Sequence, residues 1–286
     1  MRRALLPLLA GLIALPALAA EPRLVSAGGT ATEIIYALGA HGGLVGTDTT
    51  SLYPPEAQSL TSIGYVRNLS AEGVVSLNPT LVIAAAEAGP PPILAQIKTA
   101  GIPVLTLADG FTESAVLTRI GQIGDALGKA PEAATLQAAV RRDLAAVRTA
   151  LAPIQDRPKV LFVLSAARGL VVAGENTSAG TMIELAGGQN AVRGFSGYKP
   201  LTPEAVLAAA PDVVLTASHV VTALGSIEAL TKHPDLSLTP AGKEGRIIVR
   251  DSLFLLGFGP RLGEAALDLA RALHPTAGLP KLAALR

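Results

Sequence analysis

LSAEGVVSLNPTLVIA, residues 69–84, is echoed by LTPEAVLAAAPDVVLT, residues 201–216, at a constant offset of 132. The alignment matches Leu69 with Leu201, Glu72 with Glu204, Val74 with Val206, Pro79 with Pro211 and Val82 with Val214, and sets Ser70 opposite Thr202. Each copy reads as a short helix followed by a strand. Ser70 or Thr202 is the N-cap, and the glutamate lies in the positively polarised first turn. The proline stops the helix, and the β-branched run after it is a buried strand. Helix, proline and strand is also a common grammar of α/β proteins, so chance is the alternative reading. Glutamates and prolines falling in one register favour duplication, and with it two similar halves.

Outward from these copies the chain keeps alternating strand and helix. LVSAGG is a strand into a glycine turn, TATEIIYALG a helix closed by Gly39, and GLVGT a second strand. SIGYVRNL reads as an irregular loop before the first copy; TLVIAA, PPPILAQIKTAG and IPVLTL follow as strand, helix and strand. After residue 153 the alternation resumes with VLFVLSA, LVVAG, TMIELAGG and RIIVRDS. Such order favours open, mostly parallel sheets with crossover helices. Between the halves, PEAATLQAAVRRDLAAVRTAL has no internal glycine or proline and is rich in strong helix formers. A helix of that length reaches roughly 32 Å and makes a stiff connector, so the lobes should rock more readily than swing. An ordinary surface helix of one continuous domain is the plainer reading. The expectation is an α/β protein of two lobes, 21–130 and 153–286, joined by a helix at 131–152, with a ligand cleft between them.

The first twenty residues, MRRALLPLLAGLIALPALAA, carry a basic start, an apolar stretch and a small-residue Ala17-Leu18-Ala19 site. They read as an export signal cleaved near Ala19 or Ala20. Pro7, Gly11 and Pro16 interrupt the apolar run, which falls short of the roughly 20 residues needed to span a bilayer. Without Arg2 and Arg3 the 23 basic and 22 acidic residues become nearly balanced, which gives no electrostatic footprint for nucleic acid. No cysteine is present, which excludes disulfides, thiol catalysis, cysteine-bound zinc and a lipid-modified cysteine. The expectation is a soluble, monomeric periplasmic protein that is not membrane-anchored.

Five segments carry a family resemblance: SAGGTATEIIYALG (26–39), IGYVRNLSAEGVVSLNPTLVIA (63–84), AGENTSAGTMIELAGG (173–188), GYKPLTPEAVLAAAPDVVL (197–215) and LLGFGPR (255–261). Through them the whole mature chain resembles the periplasmic haemin-binding proteins of bacterial ABC importers. These belong to the helix-linked substrate-binding proteins that also carry siderophores and vitamin B12. The G-Y-x-R-x-L-S segment is the part that points to haem.

Taken alone, Tyr65 reads as a loop tyrosine half buried against its lobe, and Arg67 as a solvated charge. The resemblance implies instead that Tyr65 is the axial ligand of ferric haem iron and that Arg67 donates a hydrogen bond to its phenolate. Fe(III) is a hard cation, phenolate is a hard anionic donor, and tyrosine holds haem elsewhere. A phenol with its ordinary pKa near 10 needs the metal's help to ligate at neutral pH. Some members add a histidine from the second lobe. Here the corresponding VLSAARGLVVAGENTSAG has none, so a five-coordinate, tyrosine-only iron is expected. Arg168 in that stretch is either a partner for a haem propionate or a surface arginine. Tyr198 and Lys199 stand near the repeat-related place of Tyr65 and Arg67 and are expected to close over the haem. His41, His219, His233 and His274 are dispersed; His219 alone follows the second repeat strand, where a cleft loop should begin. The resemblance gives Glu72 and Glu204 a docking role, one carboxylate per lobe meeting arginines of the permease. Helix N-terminal charge is the plainer reading of both.

The rivals are the same fold carrying a ferric siderophore or cobalamin, and an exported α/β enzyme. No G-x-S-x-G elbow, P-loop or HExxH occurs, and the glycine pair 28–29 is too little for a phosphate cradle. Scarce histidines argue against a zinc or manganese carrier.

Overall fold

A computed structural model describes residues 22–167 and 169–280. The expected export signal and Arg168 lie outside the described residues. Before the long helix come β1 (Leu24–Ala27), β2 (Leu44–Thr47), β3 (Thr61–Ser62), β4 (Gly64–Tyr65), β5 (Asn68–Leu69), β6 (Leu81–Ala84) and β7 (Val104–Thr106). After it come β8 (Lys159–Ser165), β9 (Val171–Ala173), β10 (Gln189–Asn190), β11 (Tyr198–Pro200), β12 (Val213–Ala217) and β13 (Ile247–Arg250). The first sheet runs β3-β2-β1-β6-β7 with every pairing parallel. The second runs β11-β9-β8-β12-β13, with β10 also on β8. In it β9 is antiparallel to both β8 and β11. Only residues 166–170 separate β8 from β9, too few for a crossover helix, so the chain must turn back on itself.

The two repeat copies occupy equivalent places. β6 lies between β1 and β7, and β12 between β8 and β13. Ser70 Oγ accepts from Gly73 N at 3.2 Å, and Thr202 Oγ1 from Ala205 N at 3.3 Å, so both expected caps form. A left-handed residue follows each short helix, Asn78 (φ 47°) and Ala210 (φ 45°), at matching positions before the matched prolines. Val74 and Val206 are fully buried, as are Val82 and Val214, each pair packing beneath its own sheet. Both central strands are buried on both faces, as parallel sheets require.

The connecting helix spans Ala130–Leu151 with a proline in its first turn. Ala133, Val140, Leu144, Val147 and Leu151 form its buried stripe. It packs between helices Glu113–Ala126 and Leu262–Leu273. Gly263 permits that approach, since a Cβ there would lie 2.7 Å from Asp143 Cβ. One apolar core joins both sheets to this helix, taking in Ile83, Ile120, Leu144, Phe162, Leu215 and Leu267. Among the described residues no helix is long and apolar enough to cross a membrane.

Candidate functional site

A cavity of about 460 Å³ opens where the carboxyl ends of the strands in the two sheets meet. Loops leaving β1, β2, β6 and β7 line it on one side, with Gly28, Thr49, Ala86 and Leu107 among them. Leu164 of β8 and the segments after β12 and β13 line the other, through His219, Leu253 and Leu256. Crevices beyond the carboxyl ends of parallel strands are where open α/β sheets bind ligands.

Tyr65 and Arg67 both line this cavity. The segment expected as an irregular loop is a tight antiparallel hairpin, with Tyr65 opposite Asn68 and Val66-Arg67 at its turn. Two-residue strands leave no hydrophobic alternation to read; the buried residues instead fall at Ile63, Val66 and Leu69. That spacing fixes the hairpin to the lobe and turns Tyr65 outward, 48% exposed. Backbone bonds hold both flanks: Thr49 N donates to Gly64 O at 2.9 Å, and Gly89 N to Val66 O at 2.9 Å. Among the described residues, neither the Tyr65 hydroxyl nor the Arg67 guanidinium has a hydrogen-bond partner, so both are available to a ligand.

Buried Asp48 organises the floor beside them. Its carboxylate accepts from Gly28 N (2.8 Å), Thr50 N (2.9 Å), Thr50 Oγ1 (2.7 Å) and Ser51 Oγ (3.0 Å). The turn after β1 is thereby tied to the loop after β2. Gly29 is required for packing, because a Cβ there would lie 2.3 Å from Thr50 O.

Two arginines stitch the halves together near the cavity. Arg119, which lines it, donates to Ala108 O (3.2 Å) and Gly110 O (3.0 Å) on one side and to Phe258 O (3.0 Å) on the other. Burial lowers its pKa, and Glu87 and Asp109 oppose that only in part. Arg261 forms a bidentate pair with buried Glu33, both bonds 2.9 Å, and its guanidinium lies 3.6 Å from the Tyr53 ring centroid. Burial alone would lower the Arg261 pKa; the bonded Glu33 carboxylate, with Tyr53 and Glu264, outweighs it and holds the group above its ordinary value. None of these residues was expected at the site. A lone carboxylate inside the apolar TATEIIYALG and a lone arginine inside ESAVLTRIGQIG were the available signals.

The remaining expected residues separate. Tyr198 and Lys199 do not line the cavity; they sit on edge strand β11, away from Tyr65. The Tyr198 hydroxyl is 3.2 Å from Ser178 Oγ, its ring packs edge-on against Phe162, and Lys199 lies 5.4 Å from the Phe195 ring centroid. Glu72 and Glu204 are exposed in the first turns of the two repeat helices. The Glu204 carboxyl is held below its usual range by its own backbone amide and by Thr202.

The periplasmic binding protein family model matches residues 24–253. Among solved structures, the chain is similar to the periplasmic haem-binding protein RhuT of Roseiflexus sp. RS-1 in its apo form, with 45% identity over 90% of this chain and 99% of that one, and a TM-score of 0.87. It is also similar to the periplasmic haem-binding protein BhuT in complex with two haems, with 43% identity, 90% and 99% coverage, and a TM-score of 0.85. Among curated relatives, an uncharacterised ABC transporter substrate-binding lipoprotein, YvrC of Bacillus subtilis, is 31% identical over 89% of this chain and 81% of that one. A cobalamin-binding protein of Halobacterium salinarum is 28% identical over 90% of this chain and 70% of that one.

Proposed function

We propose, from the fact that this chain belongs to the periplasmic binding protein family, that it captures ferric haem between its lobes and delivers it to an inner-membrane ABC permease. The observation that carries this reading is Tyr65, unpartnered on an anchored hairpin and facing a cavity walled by both sheets. Its phenolate supplies one axial ligand to the iron. Coordination by Fe(III) lowers the phenol's proton affinity, and Arg67, two residues on, donates to the phenolate oxygen and favours the charged form further. The largely aliphatic far wall, with Leu164, Leu253 and Leu256, receives the porphyrin face. The names of RhuT and BhuT support haem as the cargo.

In this reading residues 21–130 and 153–286 are the lobes and 131–152 the connector. Glu72 and Glu204, one per lobe, meet permease arginines. Rim charges of this kind govern association rate and salt dependence. The mature protein works as a periplasmic monomer, binding and releasing without catalysis.

Cobalamin is the second reading, favoured by the Halobacterium relative. One titration separates the two: purified protein is mixed with ferric haem or with cyanocobalamin and followed by absorbance. Saturable haem binding that survives desalting supports the proposal. Retention of cobalamin with no haem spectrum replaces it.

A further inference from the structure

We infer that Phe111 is a second binding residue for the porphyrin, one that holds the flat macrocycle and takes no part in holding the iron. This rests on the haem reading and adds to it a contact made with the ring system alone. Among the described residues that line the cavity, Tyr65 and Phe111 are the two that carry phenyl rings. They come from different places in the first half, Tyr65 from the hairpin and Phe111 from the segment between β7 and helix Glu113–Ala126.

A single exposed phenylalanine is ordinary on a protein surface. Phe111 differs because its backbone and its ring are both fixed at the cavity. Just before it, Gly110 O accepts from Arg119 Nη1 at 3.0 Å; just after it, Thr112 Oγ1 accepts from Ala115 N at 3.2 Å and caps the helix. The ring meets that of Phe258 in an edge contact, with centroids 5.6 Å apart and planes at 64°. Phe258 is buried, and its carbonyl accepts from Arg119 Nη2 at 3.0 Å. One buried arginine therefore sets both the loop that carries Phe111 and the residue on which its ring packs. The contact with Phe258 leaves Phe111 36% exposed. A flat apolar ligand entering the cavity would cover that remainder and recover the burial it lacks. Leu52, Leu164, Leu253 and Leu256 supply apolar lining without direction. A phenyl ring adds direction, because it pairs with another π system in offset-stacked or edge-on geometry. The porphyrin presents that π system whether or not a metal sits at its centre.

The test compares the mature protein with Phe111→Leu, Phe111→Tyr and Tyr65→Phe, titrating each with ferric haem by absorbance and with metal-free protoporphyrin IX by fluorescence. Phe111→Leu should bind both ligands about three- to tenfold more weakly, and Phe111→Tyr, which keeps a ring, should match wild type for both. Tyr65→Phe should weaken haem and leave protoporphyrin IX unchanged. Wild-type affinity of Phe111→Leu for both ligands overturns this inference and leaves the haem reading standing. So does a loss confined to haem, which would mean that Phe111 acts on the iron site through the seam, and so does wild-type protein that binds haem but no protoporphyrin IX. Wild-type protein that takes up no haem overturns both.

Discussion

The two repeat copies share their frame and differ in what precedes it. Cap, left-handed residue, proline and buried valines coincide across the offset of 132. Just upstream, GYVRNLS in the first copy stands against GYKPLT in the second, one residue shorter between tyrosine and cap. The longer version closes a two-residue turn and becomes a free-standing hairpin, anchored on both flanks and facing the cavity. In the shorter version the same stretch is edge strand β11, paired with β9 along one side. Pro200 suits such an edge, since proline has no N–H to offer a further strand. The difference teaches that the duplicated frame sets positions, and a one-residue departure from it turns a tyrosine toward the cavity.

Symmetry of the frame is broken most severely by reversing charge at its matched tips. Glu72→Arg combined with Glu204→Arg should stop haem uptake into cells or proteoliposomes while leaving haem affinity of the isolated protein unchanged. If uptake persists, the matched glutamates are helix-end charges and nothing more. The seam between the halves is next. Glu33→Ala leaves Arg261 without its buried carboxylate, and denaturant unfolding should report a loss of about 3 kcal/mol; a change below about 1 kcal/mol would mean that the pair does not fasten the lobes.

A finer comparison uses the left-handed residues. Asparagine tolerates that conformation far better than alanine does, so Ala210→Gly should stabilise the protein by about 1 kcal/mol and Asn78→Gly by much less. Equal effects would show that the two helix ends are not equivalently strained. Most alike are the caps: Ser70→Ala and Thr202→Ala should each cost about 0.5–1 kcal/mol.

Much of this was legible before any coordinates. The register of Glu72 with Glu204 and Pro79 with Pro211 exposed the duplication, because helix caps and stops are local chemistry. Tyr65 and Arg67 could be singled out through the motif around them. The antiparallel β9 escaped, since LVVAG has the same β-branched composition whichever way it runs, and only the short connection 166–170 betrays its direction. Arg119 and the Glu33–Arg261 pair escaped for another reason. The partners that matter lie far away in sequence, Arg119 and Phe258 in opposite halves as are Glu33 and Arg261, and an isolated charge in an apolar helix announces burial without naming what it meets. Tyr198, nearly matched to Tyr65 by repeat position, lies on edge strand β11 and outside the lining of this cavity, a placement that repeat position alone could not give.

Haem titration of Tyr65→Phe beside Tyr198→Phe tests the central claim most directly, because the two substitutions remove the same hydroxyl from the two halves. The account predicts that Tyr65→Phe loses the phenolate-to-iron charge-transfer band and most of its haem affinity, while Tyr198→Phe keeps both. A normal band in Tyr65→Phe, or its loss in Tyr198→Phe, would contradict it.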